Sequence, residues 1–174
     1  MHRCAHFVRL TALVAGLVCL AGHPIVAQTA AAKAAQTAAA KTDPFVGTWI
    51  LNRARSEFSG NVPEKRKTIF EITADGSIKH ITETVVANGS TDRVEYTAKF
   101  DGKDVPIMNS FLSTVSIRRI DARTVERTGK VRGQVVETST RTVSADGQTL
   151  TITTMGTNDD TEYSSTQVFE REKP

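Results

Sequence analysis

The side chains that could carry catalytic chemistry are few in this sequence of 174 residues. Both cysteines, Cys4 and Cys19, and all histidines except His80 precede residue 24. The chain contains no Gly-x-Ser-x-Gly elbow, no phosphate-binding glycine loop and no Cys-x-x-Cys pair. His80 shares a strand face with Ile78 and Thr82, a pattern more typical of a structural histidine than of a general base. The sequence therefore predicts that the protein is not an enzyme and has neither a metal site nor a cofactor.

Two arginines occupy positions where an inward-facing side chain is expected. Arg127 alternates with Val125, and Arg141 alternates with Val143. A buried guanidinium is costly unless it is paired. Each arginine therefore meets a carboxylate such as Glu137, binds a ligand anion, or lies on the outside because the strand register is shifted by one residue. The sequence leaves these three alternatives open.

Several aromatic and apolar residues of the later strands could line a ligand cavity. In the most regular stretch, Val94, Tyr96, Ala98 and Phe100 alternate with polar residues and so share one face of a strand. Tyrosines would add hydroxyl groups to an otherwise apolar wall. The residues that we expect to contact a ligand are Tyr96, Phe100, Arg127, Met155, Tyr163, Gln167 and Phe169.

Turn signals punctuate the chain after residue 74, among them Asp75-Gly76, Asn88-Gly89, Arg132-Gly133, Asp146-Gly147 and Asp159-Asp160. Pairs that contain Asn, Asp or Gly tolerate the positive φ of tight hairpins, and Thr, Val and Ile predominate between them. This rhythm predicts antiparallel strands joined as an up-and-down meander. Residues 53–65 are expected to form a loop, and residues 103–112 a short edge piece or a flap. Strands are expected at 45–52, 66–73, 78–87, 92–100, 113–120, 123–130, 134–143, 149–156 and 162–171.

A sheet of nine strands with one apolar face must cover that face, and the sequence offers almost no helix for this purpose. Closing the sheet into a barrel removes the exposed edges, whereas a two-sheet sandwich would need crossing connections. The uniformly short loops favour the barrel. We therefore predict an all-β barrel of 8–10 strands that spans residues 43–174.

The first predicted strand carries a family resemblance. Phe45-Val46-Gly47-Thr48-Trp49-Ile50-Leu51 resembles the opening strand of fatty-acid-binding proteins, and its Gly-x-Trp matches the first signature of lipocalins. Both families belong to the calycin group, and 43–174 is similar in arrangement to small secreted bacterial lipocalin-like proteins. The resemblance implies that Gly47 and Trp49 are structural and that Arg171 stacks on the Trp49 ring, as a late arginine does in lipocalins.

The closing stretch 165–170 also resembles the last strand of fatty-acid-binding proteins, but it departs from that family in its polar residues. Those proteins hold the ligand carboxylate with an Arg and a Tyr, and the matching positions here are Gln167 and Phe169. A neutral amide at Gln167 favours a neutral apolar ligand over a fatty acid of similar size. An inward-facing Arg127 would reverse this preference, because it would supply the missing charge.

The first 42 residues differ in composition from the remainder. Residues 1–27 are predicted to be a signal peptide, since Arg3 and Arg9 precede an apolar run at 10–21 that is too short to span a membrane. Cleavage after Ala27 would remove both cysteines. Residues 28–42 contain Gln-Thr-Ala-Ala-Ala-Lys twice and are predicted to be an Ala-rich flexible tether. We therefore expect a periplasmic or secreted protein without a membrane span.

The charge balance narrows the classes of partner. Of the 22 Lys and Arg residues, four precede residue 43, whereas all 19 Asp and Glu residues follow residue 42. The barrel domain is thus close to neutral, and no nucleic-acid partner is expected. The sequence favours a barrel that binds a small, mainly apolar molecule in its interior. The alternative is a filled barrel without a ligand, which acts structurally or through a protein partner.

Overall fold

The computed structural model describes residues 43–158 and 161–173. The predicted signal peptide (1–27), the predicted tether (28–42) and the predicted turn at Asp159-Asp160 lie outside these residues. The described chain forms antiparallel strands and a single 3-10 turn at Arg53–Arg55. The strands are β1 (Gly47–Leu51), β2 (Glu57–Phe58), β3 (Lys65–Ile72), β4 (Ile78–Val85), β5 (Thr91–Ala98), β6 (Val105–Pro106), β7 (Thr114–Arg119), β8 (Thr124–Val131), β9 (Gln134–Val143), β10 (Thr149–Asn158) and β11 (Thr161–Arg171).

These strands form one sheet that closes on itself almost completely. The strand order is β5-β4-β3-β1-β11-β10-β9-β8-β7-β6, with the short β2 paired to β11. The two ends of this order meet where Glu95 of β5 and Met108, just after β6, exchange backbone hydrogen bonds of 2.9 and 3.4 Å. The predicted all-β, up-and-down antiparallel barrel is therefore confirmed, with ten strands around the wall.

All nine predicted strands are present, with ends that differ by a few residues. The hairpin between β8 and β9 shows why the turn signals were informative. Its two loop residues, Arg132 and Gly133, have φ values of +50° and +82°, which match the twist that a two-residue hairpin requires. Residues 105–106 form the expected short edge piece. The prediction of an uninterrupted loop at 53–65 was wrong, because Glu57 and Phe58 pair with β11.

One end of the barrel is closed by a large apolar cluster. Trp49 is fully buried, and its indole nitrogen donates a 2.9 Å hydrogen bond to the carbonyl oxygen of Phe45. Phe45 and Leu51 are buried with it. The cluster continues around the barrel through Phe70, Ile78, Ala98, Val125, Val143, Leu150 and Phe169.

Arg171 covers the Trp49 ring from the last strand. Its guanidinium carbon lies 4.1 Å from the ring centroid, and the group donates hydrogen bonds to the carbonyl oxygens of Pro44, Val46 and Gly147. Gly47 is required beneath it, because a Cβ at this position would lie 2.5 Å from Arg171 Nη1 and φ is +131°. The predicted stacking of Arg171 on Trp49 is thereby confirmed, and the three residues form one structural unit at the closed end.

No helix in the described part of the chain is long and apolar enough to cross a membrane.

Candidate ligand cavity

The barrel encloses a cavity of about 920 Å³ between the closed end and a mouth at the opposite end. Strands β3, β4, β5 and β8 to β11 supply most of the wall. Exposed residues of the loop after β2, of the loop after β6 and of the β10–β11 hairpin surround the mouth. The rim residues are Ser59, Gly60, Asn61, Asp92, Asn109, Phe111, Asn158, Thr161 and Glu162.

Part of the wall is apolar, because some of the residues that the strands direct inward are apolar. Phe169 and Ile152 lie near the floor, and Val94, Ile107 and Leu112 lie on the side where β5 meets the β6–β7 segment. The bottom of the cavity thus rests directly on the apolar cluster that contains Trp49.

A belt of polar side chains crosses the middle of the barrel. Its members are Arg66, His80, Arg127, Glu137 and Arg141. His80 stands between Phe70 and Tyr96 on adjacent strands, with ring centroids 4.6 and 4.8 Å apart, and its Nε2 is 3.2 Å from Thr82 Oγ1. Burial, followed by the charges of Arg141 and Arg127, lowers the pKa of His80 well below its ordinary value. His80 is therefore a neutral member of the belt at neutral pH.

Arg127 faces inward and is almost fully buried, with 7% of its surface exposed. It forms an ion pair with Glu137, whose other carboxylate oxygen accepts a 2.6 Å hydrogen bond from the Tyr163 hydroxyl. Burial and this contact with Glu137 raise the pKa of Tyr163. The first of the three alternatives for Arg127, pairing with Glu137, is the one that the structure bears out.

Arg141 also faces inward and is 5% exposed, but it has no carboxylate partner among the described residues. Its Nη1 donates a 2.9 Å hydrogen bond to the Tyr96 hydroxyl oxygen. Burial lowers the pKa of Arg141, while its interactions with Tyr96 and Glu137 oppose that shift. Neither arginine lies on the outer surface, so a shifted register is excluded for both.

Arg66 is a third cavity arginine, which the sequence reasoning missed. Its Nε donates to Thr84 Oγ1 at 3.0 Å and its Nη1 to Gln167 Oε1 at 2.6 Å. Burial lowers the pKa of Arg66, and the charge of Glu137 opposes the shift. The alternation of Arg66 with the inward-facing Thr68 and Phe70 was the available signal, since it places all three side chains on one face of β3.

Four buried polar atoms of the described residues have no hydrogen-bond partner, and all four belong to side chains that line this cavity. Buried polar atoms are almost always satisfied by protein or water. The four atoms are His80 Nδ1, Arg127 Nε, Ser139 Oγ and Arg141 Nε.

Of the predicted ligand-binding residues, two lie away from the cavity. Met155 is 63% exposed on the outer face, because β10 directs Ile152 and Thr154 inward and the intervening residues outward. Phe100 lies beyond the end of β5, where the Arg119 guanidinium stacks on its ring at 3.8 Å. The placement of these two residues in the wall was therefore wrong. Tyr96, Arg127, Tyr163, Gln167 and Phe169 do line the cavity, and their contact with a ligand stays a prediction.

The described residues contain no cluster of three His, Cys, Asp or Glu side chains that could hold a metal ion. In the belt, the carboxylate of Glu137 is already shared by Arg127 and Tyr163.

The sequence matches no protein-family model and no curated protein. Among solved structures, a mutant of the fluorescent protein UnaG superposes with a TM-score of 0.51 at 14% identity, over 75% of this chain and 98% of that chain. Zebrafish ileal bile acid-binding protein complexed with cholic acid gives a TM-score of 0.45 at 11% identity, over 74% and 99% of the two chains. The tryptamine complex of the amine-binding protein of Rhodnius prolixus gives 0.44 at 16% identity, over 76% and 66%.

At 14% identity, the likeness to UnaG concerns the fold alone. The described chain is therefore an antiparallel, nearly closed β-barrel with an open interior cavity.

Proposed function

We propose that this protein binds a small molecule with a mainly apolar body inside the barrel. The observation that carries the proposal is the cavity of about 920 Å³, which lies in the size range of small-molecule sites, about 300–1,000 Å³. A filled barrel would bring its inward side chains together in the middle, whereas here the polar belt surrounds open space. The alternative of a ligand-free barrel is less well supported for this reason.

The lining also has the composition of a binding site. Ligand sites combine a predominantly apolar wall with a few convergent polar groups that fix the orientation of the ligand. Phe169, Ile152 and Val94 supply the wall, and the belt supplies the polar groups. We propose a binding role rather than a catalytic one, because His80 is buried and its ring is stacked between Phe70 and Tyr96.

The experiment that tests this proposal is titration of a fluorescent apolar probe into the protein and two variants. Thr154 is buried on the cavity face of β10, and its neighbour Thr153 is exposed on the outer face. Thr154→Phe should fill part of the cavity and weaken probe binding at least tenfold, whereas Thr153→Phe should leave the affinity within about twofold. Circular dichroism melts establish that both variants are folded.

Equal probe affinities for the two folded variants would show that the probe binds outside the barrel and would contradict the proposal. No binding of any apolar probe would favour the alternative, a structural or protein-interaction role without a ligand.

We further propose that the protein is a secreted or periplasmic bacterial lipocalin-like protein, with residues 1–27 as its signal peptide and 28–42 as a tether. The charged start and the short apolar run support this proposal. The intact mass of exported protein tests it, and we expect a chain that begins at Gln28 without added lipid. An exported species that retains Cys19, or one that carries an acyl group, would contradict it.

A further inference from the structure

We infer that two glycines, Gly129 and Gly156, set the width of the cavity just below its mouth and adapt it to a rigid, ring-containing ligand rather than to a single alkyl chain. The inference rests on the proposed function, because it identifies the shape of the molecule that occupies the same cavity.

Four inward-facing residues on adjacent strands form one row, which we call the neck. Gly129 of β8 is paired with Glu137 of β9. Glu137 is paired with Gly156 of β10, which is paired in turn with Tyr163 of β11. The next inward position on β10 towards the mouth, Asn158, already belongs to the rim. A molecule that enters the barrel from the mouth therefore passes the neck before it reaches the floor.

Both glycines of the neck are covered by a large side chain. Leu112, from the loop after β6, lies over Gly129, where a Cβ would be 2.7 Å from Leu112 Cδ1. The Tyr163 ring lies over Gly156, where a Cβ would be 2.6 Å from its hydroxyl oxygen. A glycine inside a strand often marks such a close approach. Because no Cβ lies beneath them, both side chains lie close to the wall, and the space between the walls of the neck stays wide.

Aromatic side chains line the cavity at and around the neck. Phe58 of β2 is paired with Ser165, the next inward residue below Tyr163 on β11. Phe111 lies at the rim and is 54% exposed. Aromatic rings attract other rings through offset or edge-to-face contacts, beyond the effect of the buried area. A ligand with rings therefore gains contacts with Phe58, Phe111 and Tyr163 that an alkyl chain does not make.

The size of the cavity favours the same kind of ligand. Dispersion contacts are lost wherever a gap separates a ligand from the wall of its site. A single alkyl chain leaves most of a cavity of about 920 Å³ unfilled, whereas a ring system fills more of its width. A rigid molecule also loses less conformational freedom when it binds.

The test compares two neutral primary alcohols of similar hydrophobicity, 1-pyrenemethanol with four fused rings and 1-decanol with one alkyl chain. The affinity of 1-pyrenemethanol is measured from its own fluorescence, and that of 1-decanol from competition with the fluorescent apolar probe. The wild type should bind 1-pyrenemethanol at least fivefold more tightly than 1-decanol. Equal affinities would overturn the inference and leave the proposed function standing.

Gly129→Ala tests the role of the neck, because a Cβ at this position meets only side-chain atoms, of Leu112 and Glu137. The new methyl group should displace Leu112 into the cavity and weaken 1-pyrenemethanol binding at least tenfold, while it leaves 1-decanol within about threefold. The double variant Leu112→Ala with Gly129→Ala removes the displaced side chain and should restore 1-pyrenemethanol binding to within about threefold of the wild type.

The matched control is Gly60→Ala, because a Cβ at this rim position meets no atom within 4 Å and should change neither affinity. Circular dichroism melts establish that each variant is folded. Equal changes of the two affinities in folded Gly129→Ala would overturn the inference, and so would a loss that persists in the double variant, since Leu112 would then not be its cause. Binding of neither alcohol to the wild type would overturn the proposed function and, with it, this inference.

Discussion

The packing of the closed end of the barrel depends on Trp49. It is fully buried, it donates a hydrogen bond to Phe45, and Arg171 covers its ring. Trp49→Ala should lower the free energy of unfolding by about 3–5 kcal/mol, as expected when a large core aromatic is removed. Urea denaturation followed by circular dichroism measures the change.

The adjacent residue provides the control for this prediction. Ile50 points outward and is 39% exposed, so Ile50→Ala should cost only about 0.5 kcal/mol. Comparable losses for the two variants would mean that the ring does not support the barrel end.

His80 should make the stability of the protein depend on pH. Its pKa in the folded state is lowered, first by burial and then by the charges of Arg141 and Arg127. Below the ordinary pKa of about 6.5, the unfolded chain binds a proton that the folded protein excludes, so stability falls as the pH falls. The free energy of unfolding should therefore decrease as the pH is lowered from 7 towards 5.

His80→Phe removes the titrating group and keeps an aromatic ring between Phe70 and Tyr96. We expect its free energy of unfolding to vary less between pH 7 and pH 5 than that of the wild type. Hydrogen bonds from basic side chains lower the pKa values of Glu83 and Glu95. Their contribution to the free energy of unfolding is therefore lost only below the ordinary pKa of a glutamate. These two glutamates therefore do not affect the comparison between pH 7 and pH 5. If the free energies of unfolding of the wild type and His80→Phe changed equally with pH, the prediction would be refuted.

At the residue scale, sequence reasoning located part of the site. The alternation with Val125 and Val143 placed Arg127 and Arg141 on inward faces, but a slip by one residue would have reversed that assignment. Only the three-dimensional pairing shows that Glu137 serves Arg127 and not Arg141. The prediction for Met155 was wrong because residue type alone does not show whether an apolar side chain lies on the outer or the inner face of a strand.

At the scale of the strand, Gly156 of β10 maintains the upper wall of the cavity. A Cβ at this position would lie 2.6 Å from the Tyr163 hydroxyl oxygen and 2.7 Å from the backbone oxygen of Val136. The backbone oxygen cannot move without disturbing β9. Gly156→Ala should therefore destabilise the protein by about 1–3 kcal/mol and displace the Tyr163 hydroxyl from Glu137.

Gly60 is the control glycine, since a Cβ there would meet no atom within 4 Å. Gly60→Ala should change the free energy of unfolding by less than about 1 kcal/mol. Thermal melts of both variants test the prediction. If Gly156→Ala were as stable as the wild type, the wall would be able to accommodate a Cβ at this position.

The strands were predictable from the sequence where two consecutive strands pair with each other across a short turn. Turn pairs such as Asn88-Gly89 and Asp146-Gly147 lie between strands that pair with each other, so local sequence carries the information. The strand β2 was missed because its two residues pair with β11, more than a hundred positions later in the chain. A contact of that kind leaves no local pattern in the sequence.

At the scale of the whole molecule, closure of the barrel explains how the described residues, which form no covering helix, bury the apolar side of their sheet. The first and last long strands are neighbours, because β1 lies between β3 and β11. The Gly-x-Trp signature and the late arginine meet at this junction, where Trp49 and Arg171 are paired across β1 and β11.

The remaining seam of the barrel is held by few backbone hydrogen bonds, two between Glu95 and Met108 and one from Gly102 to Ile117, whereas β10 and β11 pair along their whole length. Free energies of local opening are lowest where few hydrogen bonds protect the backbone. In amide hydrogen–deuterium exchange, Met108 should therefore take up deuterium well before the paired amides of β10, and equal protection of both would contradict this. Separation of the wall at this seam breaks fewer backbone hydrogen bonds than separation of any two long paired strands, so we expect it to be the first place where the wall opens.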